Sequence, residues 1–194
     1  VMNGDPKKFA NAVKLDELSY THAIEMAYYG ATVIHPKTIQ PLQSKNIPLF
    51  VRSFLNPEAK GTVVSNTAAE ENIPTFISKS NQVLLSISTK DFSFIVEDNL
   101  SKIFNLFAEH NIKMNLMQNS AISFSVCVDD AGDELEKLKS ALHNDYDLKL
   151  NNNLELLTVM HQTDDALKQA LLNKTVLLEQ RTRATVQLVL KNNA

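Results

Sequence analysis

The sequence has few of the residues that familiar catalytic motifs require. Of its 194 residues, four are glycine and one is cysteine. Neither a P-loop nor a GxGxxG motif is present, and GxSxG, HExxH and Cys/His clusters are absent too. The single cysteine, Cys127, excludes a disulfide framework and a cysteine-based metal site. The five histidines show no metal-ligand spacing. The sequence therefore predicts no metal site and no catalytic residue in this chain.

Charge and hydropathy exclude two further classes of function. The formal net charge of −3 and the pI near 6.0 leave no basic stripe for nucleic acid. No apolar run reaches the roughly 18–20 residues of a membrane span, and the first residues do not form a signal peptide. We expect a protein of the reducing cytoplasm with neither a nucleic-acid nor a membrane partner.

Residues 112–128 carry the clearest pattern in the chain. Apolar side chains alternate with polar ones on both sides of Gln118-Asn119-Ser120-Ala121. Such alternation predicts a β-hairpin with one buried and one polar face. The polar hinge is either a plain turn or a site for a small ligand, and spacing alone favours the turn, because Asn and Ser stabilise turns through local hydrogen bonds.

The other periodic segments predict an α+β fold. One helix begins at the N-cap Ser19 and ends at Gly30, with Ala23, Ile24, Ala27 and Tyr28 as its apolar stripe. A polar connector spans 62–72, and Asp98 or Asn99 caps a helix at 99–110. The other predicted helices cover 37–45, 132–143 and 164–172. The predicted strands cover 31–34, 48–54, 73–78, 82–89, 147–151, 154–160, 174–180 and 184–190.

The order strand–helix–strand–strand occurs twice, about 70 residues apart, without an obvious residue-level repeat. This order predicts two ferredoxin-like βαββαβ modules. The second module lacks its last segment, and the non-contiguous strand 73–78 is the natural candidate to complete it. Ferredoxin-like RNA binding is disfavoured, because Ser123, Ser125 and Cys127 occupy the predicted outward face where aromatic residues would be needed.

Several polar residues could bind a ligand, but their spacing alone does not predict a binding site. Lys7 and Lys8 follow a Gly4-Asp5-Pro6 turn and fit a solvated loop better than a phosphate clamp. Arg181 and Arg183 flank the second hairpin turn and are expected to be solvated. By pattern alone the chain is an α/β piece joined to two ferredoxin-like modules, with its function open.

One long stretch resembles a known family. The stretch 18–61 and the two residues after it contain EMAYYGATVIHP, NIPLFVRSF and NPEAKGTV in the order and spacing found at the end of the catalytic domain of aspartate kinases. In front of them, Gly4-Asp5-Pro6-Lys7 is similar to the family's T-x-D-P-R segment. The two modules behind them resemble its tandem ACT domains. The resemblance implies a catalytic-domain end at 1–64, a connector and shared strand at 65–80, and ACT domains at 81–152 and 153–194.

The resemblance also implies a reaction and a nucleotide. Aspartate kinases use ATP with Mg²⁺ to phosphorylate L-aspartate for lysine, threonine and methionine synthesis. The matching nucleotide positions are Lys7, Thr32 and Val33, where Lys7 keeps the charge of the family's Arg but loses its bidentate fork. Because the chain starts mid-pattern, we expect a fragment that is inactive alone, and its end without a linker favours a monofunctional kinase.

ACT domains of this family bind an end-product amino acid, which implies an allosteric effector site and a homodimer through the ACT domains. Lysine is the favoured effector, with threonine next. The alternative is a non-catalytic tandem ACT sensor or scaffold, which would have no reason to carry residues 1–64. The implied effector residues are Ser93, Phe94, Asp98, Asn99, Leu100, Met114, Asn115, Asn119 and Ser120.

Overall fold

The computed structural model describes residues 1–32, 34–68, 72–91 and 93–193. The chain divides into two compact units. Unit 1 comprises Val1–Ser78, Leu157–Ala170 and Arg181–Val186. Unit 2 comprises Lys79–Leu156, Leu171–Gln180 and Gln187–Ala194.

Unit 1 contains a small mixed sheet of β1 (Glu17–Ser19), β2 (Leu49–Val51) and β3 (Thr62–Ser65), in the order β1-β3-β2. Strand β3 runs parallel to β1 and antiparallel to β2. Thr62 and Val64 are fully buried, whereas the residues between and after them are half-buried. The predicted polar connector at 62–72 is therefore wrong in its first four residues, where alternation in a short β-branched run makes a central strand.

Two helices accompany this sheet, α1 (Tyr20–Tyr29) and α2 (Pro36–Ser44). The predicted start and stop of α1 are confirmed: the Ser19 side chain accepts a hydrogen bond from the His22 amide at 3.1 Å, and Gly30 follows at φ 111°. A positive φ of this kind is the conformation for which glycine is preferred at a helix end. The buried face differs from the predicted stripe, because Met26 is buried and Tyr28 is 64% exposed.

Two predicted strands of unit 1 differ from the structure. The segment predicted as 48–54 is strand only over Leu49–Val51. None of the described residues among 31–34 lies in a strand, and Val33 lies outside the described residues. The apolar core beside them joins α1 to the sheet through Leu18, Ala23, Met26, Ile39 and Val64.

The remaining elements form a six-stranded sheet with helices, in the strand order β5-β6-β4-β7-β9-β8. The strands are β4 (Thr75–Thr89), β5 (Met114–Asn119), β6 (Ser123–Asp129), β7 (Tyr146–Met160), β8 (Lys174–Arg181) and β9 (Thr185–Asn192). The helices are α3 (Glu97–Glu109), α4 (Asp133–His143) and α5 (Asp164–Ala170).

Strands β4 and β7 are each one strand of 15 residues, where the sequence predicted two strands apiece. Each contains an asparagine with positive φ, Asn81 at 55° and Asn153 at 56°. Asparagine tolerates this left-handed conformation better than other residues with a side chain. The polar residues that suggested a chain break are therefore local irregularities inside continuous strands.

Helices α3 and α4 pack with β4 and the β5–β6 hairpin in unit 2. Leu135, Leu138 and Leu142 of α4 are buried as predicted, and Ile103 and Phe107 are the buried residues of α3. The predicted cap of α3 is wrong: its N-cap is Val96, without a side-chain hydrogen bond, and Asp98 lies in the first turn. A carboxylate there still suits the positive end of the helix dipole.

The predicted hairpin is confirmed, but its polar outer face is wrong at Cys127. A register irregularity between Met114 and Leu116 moves Leu116 opposite Cys127. Both side chains are buried in a second apolar cluster with Leu84, Leu154 and Val189. Burial, with the nearby charge of Asp129, raises the pKa of the Cys127 thiol to about 12. Cys127 is thus a packing residue, because the sheet has apolar contacts on both faces at this point.

Candidate functional site

Three separate segments of unit 1 line one cavity of about 430 Å³. They are the N-terminal loop, the residues after α1 and the first part of β4. Its lining residues include Gly4, Asp5, Gly30, Thr32, Phe76 and Ser78. The two motif segments before β4 are about 25 residues apart in sequence, so the fold gathers them at a single place.

The N-terminal loop is a tight turn held by its own backbone. The Lys7 amide donates to the Asp5 carboxylate at 2.9 Å, and the Lys8 and Phe9 amides donate to the Asp5 carbonyl at 2.9 Å each. Such a turn presents the Lys7 side chain at the surface beside the cavity residue Asp5.

Gly4 lies in a closely packed part of the loop. A Cβ at this position would lie 3.1 Å from the Phe9 ring and 3.4 Å from Cβ of Phe76. The rings of Phe9 and Phe76 stack with their centroids 4.8 Å apart. The loop thus packs against the first part of β4 through an aromatic pair, and a side chain at position 4 would require the Phe9 ring to shift by a few tenths of an ångström.

Of the three predicted nucleotide residues, one lines this cavity. Thr32 is one of its lining residues, Lys7 belongs to the adjoining turn, and Val33 lies outside the described residues. Lysine ammonium groups and backbone amides are suitable partners for phosphate oxygens. The chemistry of the donors therefore fits a nucleotide's phosphates.

Sequence reasoning missed two residues on the β4 side of the cavity, Phe76 and Ser78. Lys8 Nζ donates to Ser78 Oγ at 2.8 Å, although Lys8 was expected to be a solvated residue of the loop. Nothing in the local pattern of residues 75–78 could have shown this, because the contact joins positions 70 residues apart. A metal site is a separate question: within the described ranges, no cluster of three or more Asp, Glu, His or Cys side chains could hold an ion.

The second predicted site lies in unit 2, where the loop 93–96 and the first turn of α3 meet the hairpin hinge. The Ile95 amide donates to the Ala121 carbonyl at 2.9 Å, and this bond brings the two segments together. The hinge itself is closed by Ser120 and Ser123: the Ser120 amide donates to the Ser123 carbonyl at 2.8 Å, and the Ser123 amide donates to Ser120 Oγ at 3.2 Å.

The loop residues of the predicted site have defined positions. Ser93, Phe94 and Asp98 are exposed, with Phe94 at 67%. Asn99 donates to the Phe94 carbonyl at 3.4 Å and accepts from the Tyr146 hydroxyl at 3.1 Å. Tyr146 is a further residue that the pattern did not indicate, and burial raises its pKa. Leu100 and Met114 are partly buried against the core.

Asn115 and Asn119, both predicted to contact the ligand, have different surroundings. Asn119 is exposed at the end of β5. Asn115 is held inside unit 2: its amide donates to Gln82 Oε1 at 2.9 Å and accepts from Lys79 Nζ at 3.0 Å. Gln82 and Lys79 also bind the Asp129 carboxylate, at 2.7 and 3.0 Å. Burial opposes ionisation of Asp129, but these hydrogen bonds outweigh it and lower its pKa.

Comparison with known proteins agrees with this architecture. The family model "Amino acid kinase family" matches residues 1–53. Lysine-sensitive aspartokinase 3 of Escherichia coli is 35% identical over 131 residues, which are 66% of this chain and 28% of that protein. Aspartokinase 1 of Arabidopsis thaliana, a chloroplastic protein, is 30% identical over 131 residues, 66% of this chain and 23% of that protein. The chain belongs to the aspartokinase family.

Solved structures show the same fold over almost the whole chain. Escherichia coli aspartokinase III, in complex with lysine and aspartate, covers 97% of this chain with a TM-score of 0.77 and 24% identity, matching 45% of its own chain. Aspartate kinase of Clostridium acetobutylicum covers 98% with a TM-score of 0.83 and 19% identity, matching 48% of its chain. The α+β fold with tandem ferredoxin-like ACT domains is thereby confirmed.

The chain spans about a quarter of the length of the curated aspartokinases it matches. Within the described residues, no helix is both long enough and apolar enough to cross a membrane.

Proposed function

We propose that the chain is the C-terminal part of an aspartate kinase that phosphorylates L-aspartate with ATP to give 4-phospho-L-aspartate. The observation that carries this proposal is the cavity in unit 1. Its lining combines Gly4 and Asp5 of one family phrase with Gly30 and Thr32 of another. The chain alone would be inactive, because the residues that bind aspartate belong to the part of the relatives that it does not match.

The nucleotide would be held by Lys7, Thr32 and Val33. Lys7 supplies a positive charge for phosphate oxygens, whereas Thr32 and Val33 follow the helix end at Gly30 and contribute mainly backbone groups. Mg²⁺ would accompany the nucleotide, and the described residues contain no cluster of acidic, histidine or cysteine side chains that could hold it.

The effector site would lie where the loop 93–96 and the first turn of α3 meet the hinge. Exposed Asn119 and the loop residues Ser93, Phe94 and Asp98 could contact an amino acid, with Asn99, Leu100, Met114, Asn115 and Ser120 behind them. We favour lysine over threonine for two reasons. The related E. coli aspartokinase 3 is named lysine-sensitive, and the solved structure of E. coli aspartokinase III is a complex with lysine and aspartate. An effector can act only by binding one conformational state more tightly than another.

The proposed organisation follows from these assignments. The catalytic-domain end covers 1–64, a connector and shared strand cover 65–80, and the two ACT domains cover 81–152 and 153–194. The proposed assembly is a cytoplasmic homodimer through the ACT domains, since pairing of sheet edges removes exposed strand hydrogen-bonding groups. A second function, a non-catalytic ACT sensor, would explain the ACT modules but not the cavity formed by the kinase phrases.

Calorimetric titration of the chain with lysine, threonine and methionine tests the effector site. We expect lysine to bind, and Asn119→Ala to weaken it by about 1–3 kcal/mol because a buried ligand group loses its partner. Asn152→Ala, at an exposed position of β7, is the matched control. No heat from any of the three amino acids at millimolar concentration would reject the site.

The nucleotide assignment needs the complete gene product. Lys7→Ala should raise the KM for ATP in an aspartate-dependent ADP-release assay, because a phosphate contact is lost. Lys45→Ala, which removes a lysine after α2, should leave the KM unchanged. A wild-type gene product that binds lysine but has no aspartate-dependent turnover would instead favour the sensor.

A further inference from the structure

The two ACT modules repeat at the level of single hydrogen bonds in their hairpin hinges. In the first hinge the Ser120 amide donates to the Ser123 carbonyl at 2.8 Å; in the second the Thr182 amide donates to the Thr185 carbonyl at 2.8 Å. The Ser123 amide donates to Ser120 Oγ at 3.2 Å, and the Thr185 amide to Thr182 Oγ at 3.1 Å. The second hinge therefore has the same backbone frame as the proposed effector hinge.

In each module the loop before the helix is joined to the hinge by one backbone hydrogen bond, to the residue after Ser120 in the first module and to the second residue after Thr182 in the second. In the first module the Ile95 amide donates to the Ala121 carbonyl at 2.9 Å, and in the second the Gln162 amide donates to the Ala184 carbonyl at 3.3 Å. The second module adds a side-chain contact, because Arg181 Nη1 donates to Gln162 Oε1 at 2.7 Å. All these second-module residues belong to unit 1.

The side chains of the two hinges differ in charge. The residues on either side of Ser120 in the first hinge are Asn119 and Ala121. The residues on either side of Thr182 in the second hinge are Arg181 and Arg183. The chain has 16 lysines but only three arginines, and two of those three flank Thr182. Lysine would solvate a turn equally well, whereas arginine presents a planar fork that matches carboxylate and phosphate oxygens.

We propose that the second hinge, with Arg181 and Arg183, binds a small anionic molecule, either a dicarboxylic amino acid or a phosphorylated metabolite. Gln162 orients the guanidinium of Arg181, and the exposed Arg183 supplies the second positive charge. The first carboxylates in the chain after Gln162 are Asp164 and Asp165, and Asp165 lies 4.0 Å from Lys168 in an ion pair. The hinge itself, residues 180–185, contains no acidic residue, and the acidic residue nearest to it in sequence is Glu179, two positions before Arg181 on β8.

The test is calorimetric titration of the full chain with L-aspartate, with inorganic phosphate and with lysine, at low and at physiological ionic strength. We expect L-aspartate or phosphate to bind, more weakly at higher salt. Aspartate without phosphate would identify a dicarboxylate site, and the reverse a phosphoryl site. Lysine titration of the same sample reports on the first hinge, so failure of either proposal is visible separately.

Three variants separate binding from folding. Arg183→Ala should weaken the anion about tenfold or more, because charge-assisted hydrogen bonds are among the strong ones. Arg183→Lys, which keeps the charge without the fork, should fall between this variant and the wild type. Arg52→Ala removes the only arginine outside the hinge and should leave the affinity unchanged. Circular dichroism checks that each variant is folded.

Three results would overturn the proposal. The first is no binding of either anion at millimolar concentration. The second is unchanged anion binding in a folded Arg181→Ala/Arg183→Ala variant. The third is an equal loss of affinity in Arg52→Ala, which would mean that general charge, and not the hinge, attracts the anion.

Discussion

The two ACT modules have the same backbone hydrogen bonds in their hairpin hinges, but they differ in helix length and in the charge of the hinge side chains. Both hinges are closed by a hydroxyl pair, Ser120 with Ser123 and Thr182 with Thr185. Their helices differ greatly, since α3 has 13 residues and α5 has seven. The comparison shows that a few turn residues are enough to fix the hairpin frame. Helix length and hinge charge can then vary without changing that frame.

The largest expected difference between the modules lies in how strongly each depends on its helix. Phe107 of α3 is 2% exposed and Leu167 of α5 is 7% exposed. We expect Phe107→Ala to lower the free energy of unfolding by about 3–5 kcal/mol and Leu167→Ala by about 2–3 kcal/mol, since the larger side chain leaves the larger cavity. Urea unfolding followed by circular dichroism measures both losses.

Phe54→Ala is the matched control for the phenylalanine substitution, because Phe54 is 97% exposed and its removal opens no cavity. It should change the free energy of unfolding by less than about 0.5 kcal/mol. A loss for Leu167→Ala that equals or exceeds the loss for Phe107→Ala would contradict the idea that the short helix contributes less to its module.

A smaller effect tests the feature that both long strands share. Asn81 and Asn153 have left-handed φ values in the middle of β4 and β7. We expect alanine at either position to cost about 1–2 kcal/mol, because a Cβ without a compensating polar group disfavours this conformation. Glycine should cost less than alanine at both positions.

Thermal and urea unfolding of the four single variants give this comparison directly. Asn152→Ala, next to Asn153, should have little effect and controls for loss of an exposed amide. The contrary result would be that glycine lowers the free energy of unfolding as much as alanine does at position 81 but not at position 153. In that case the two left-handed conformations would have different causes, and the modules would be less alike than their backbones indicate.

Much of this fold could be predicted from local patterns. The ends of α1 follow from Ser19 and Gly30, and the hairpin follows from strict alternation around Asn119 and Ser120. The apolar spacing of α4 likewise identified its buried leucines. These features succeeded because each depends on residues within one turn or one strand pair.

Other features depend on contacts that no short window contains. The polar residues around Asn81 suggest a break between two strands, but their neighbours continue the same strand. Cys127 appeared to be on a polar face, because its apolar partners Leu84, Leu154 and Val189 come from three other strands. The role of Ser78 at the cavity depends on Lys8, which is 70 residues away.

The candidate sites likewise have features that the sequence predicts and features that depend on distant contacts. The segments that resemble aspartate kinases indicated two of the segments that line the cavity, because a long match to one family assigns several segments to the same site. Within the effector site, the pattern could not distinguish exposed Asn119 from Asn115, whose amide is occupied by Gln82 and Lys79. That distinction needs the positions of two residues on β4.

The smallest expected effect concerns Asp129, the last residue of β6 in the first module. Asp129 binds Lys79 and Gln82, whereas Lys191 stands 62 residues later, at the matching place after β9's apolar run. The pKa of Asp129 is lowered in the folded state, so its ionised form stabilises the fold above the ordinary carboxyl pKa of about 4. This stabilisation is lost as the pH falls from about 4 through the lowered value.

The contribution should be small, since the Asp129 side chain is 54% exposed and exposed ion pairs stabilise little. Urea unfolding between pH 3 and pH 7 should show a shallower acid decline for Asp129→Asn than for the wild type, while Asp147→Asn on the exposed side of β7 should follow the wild type. If Asp129→Asn kept the full acid decline, the loss of stability at low pH would come from other carboxylates. The Lys79 contact would then serve only to hold the Asn115 side chain in place.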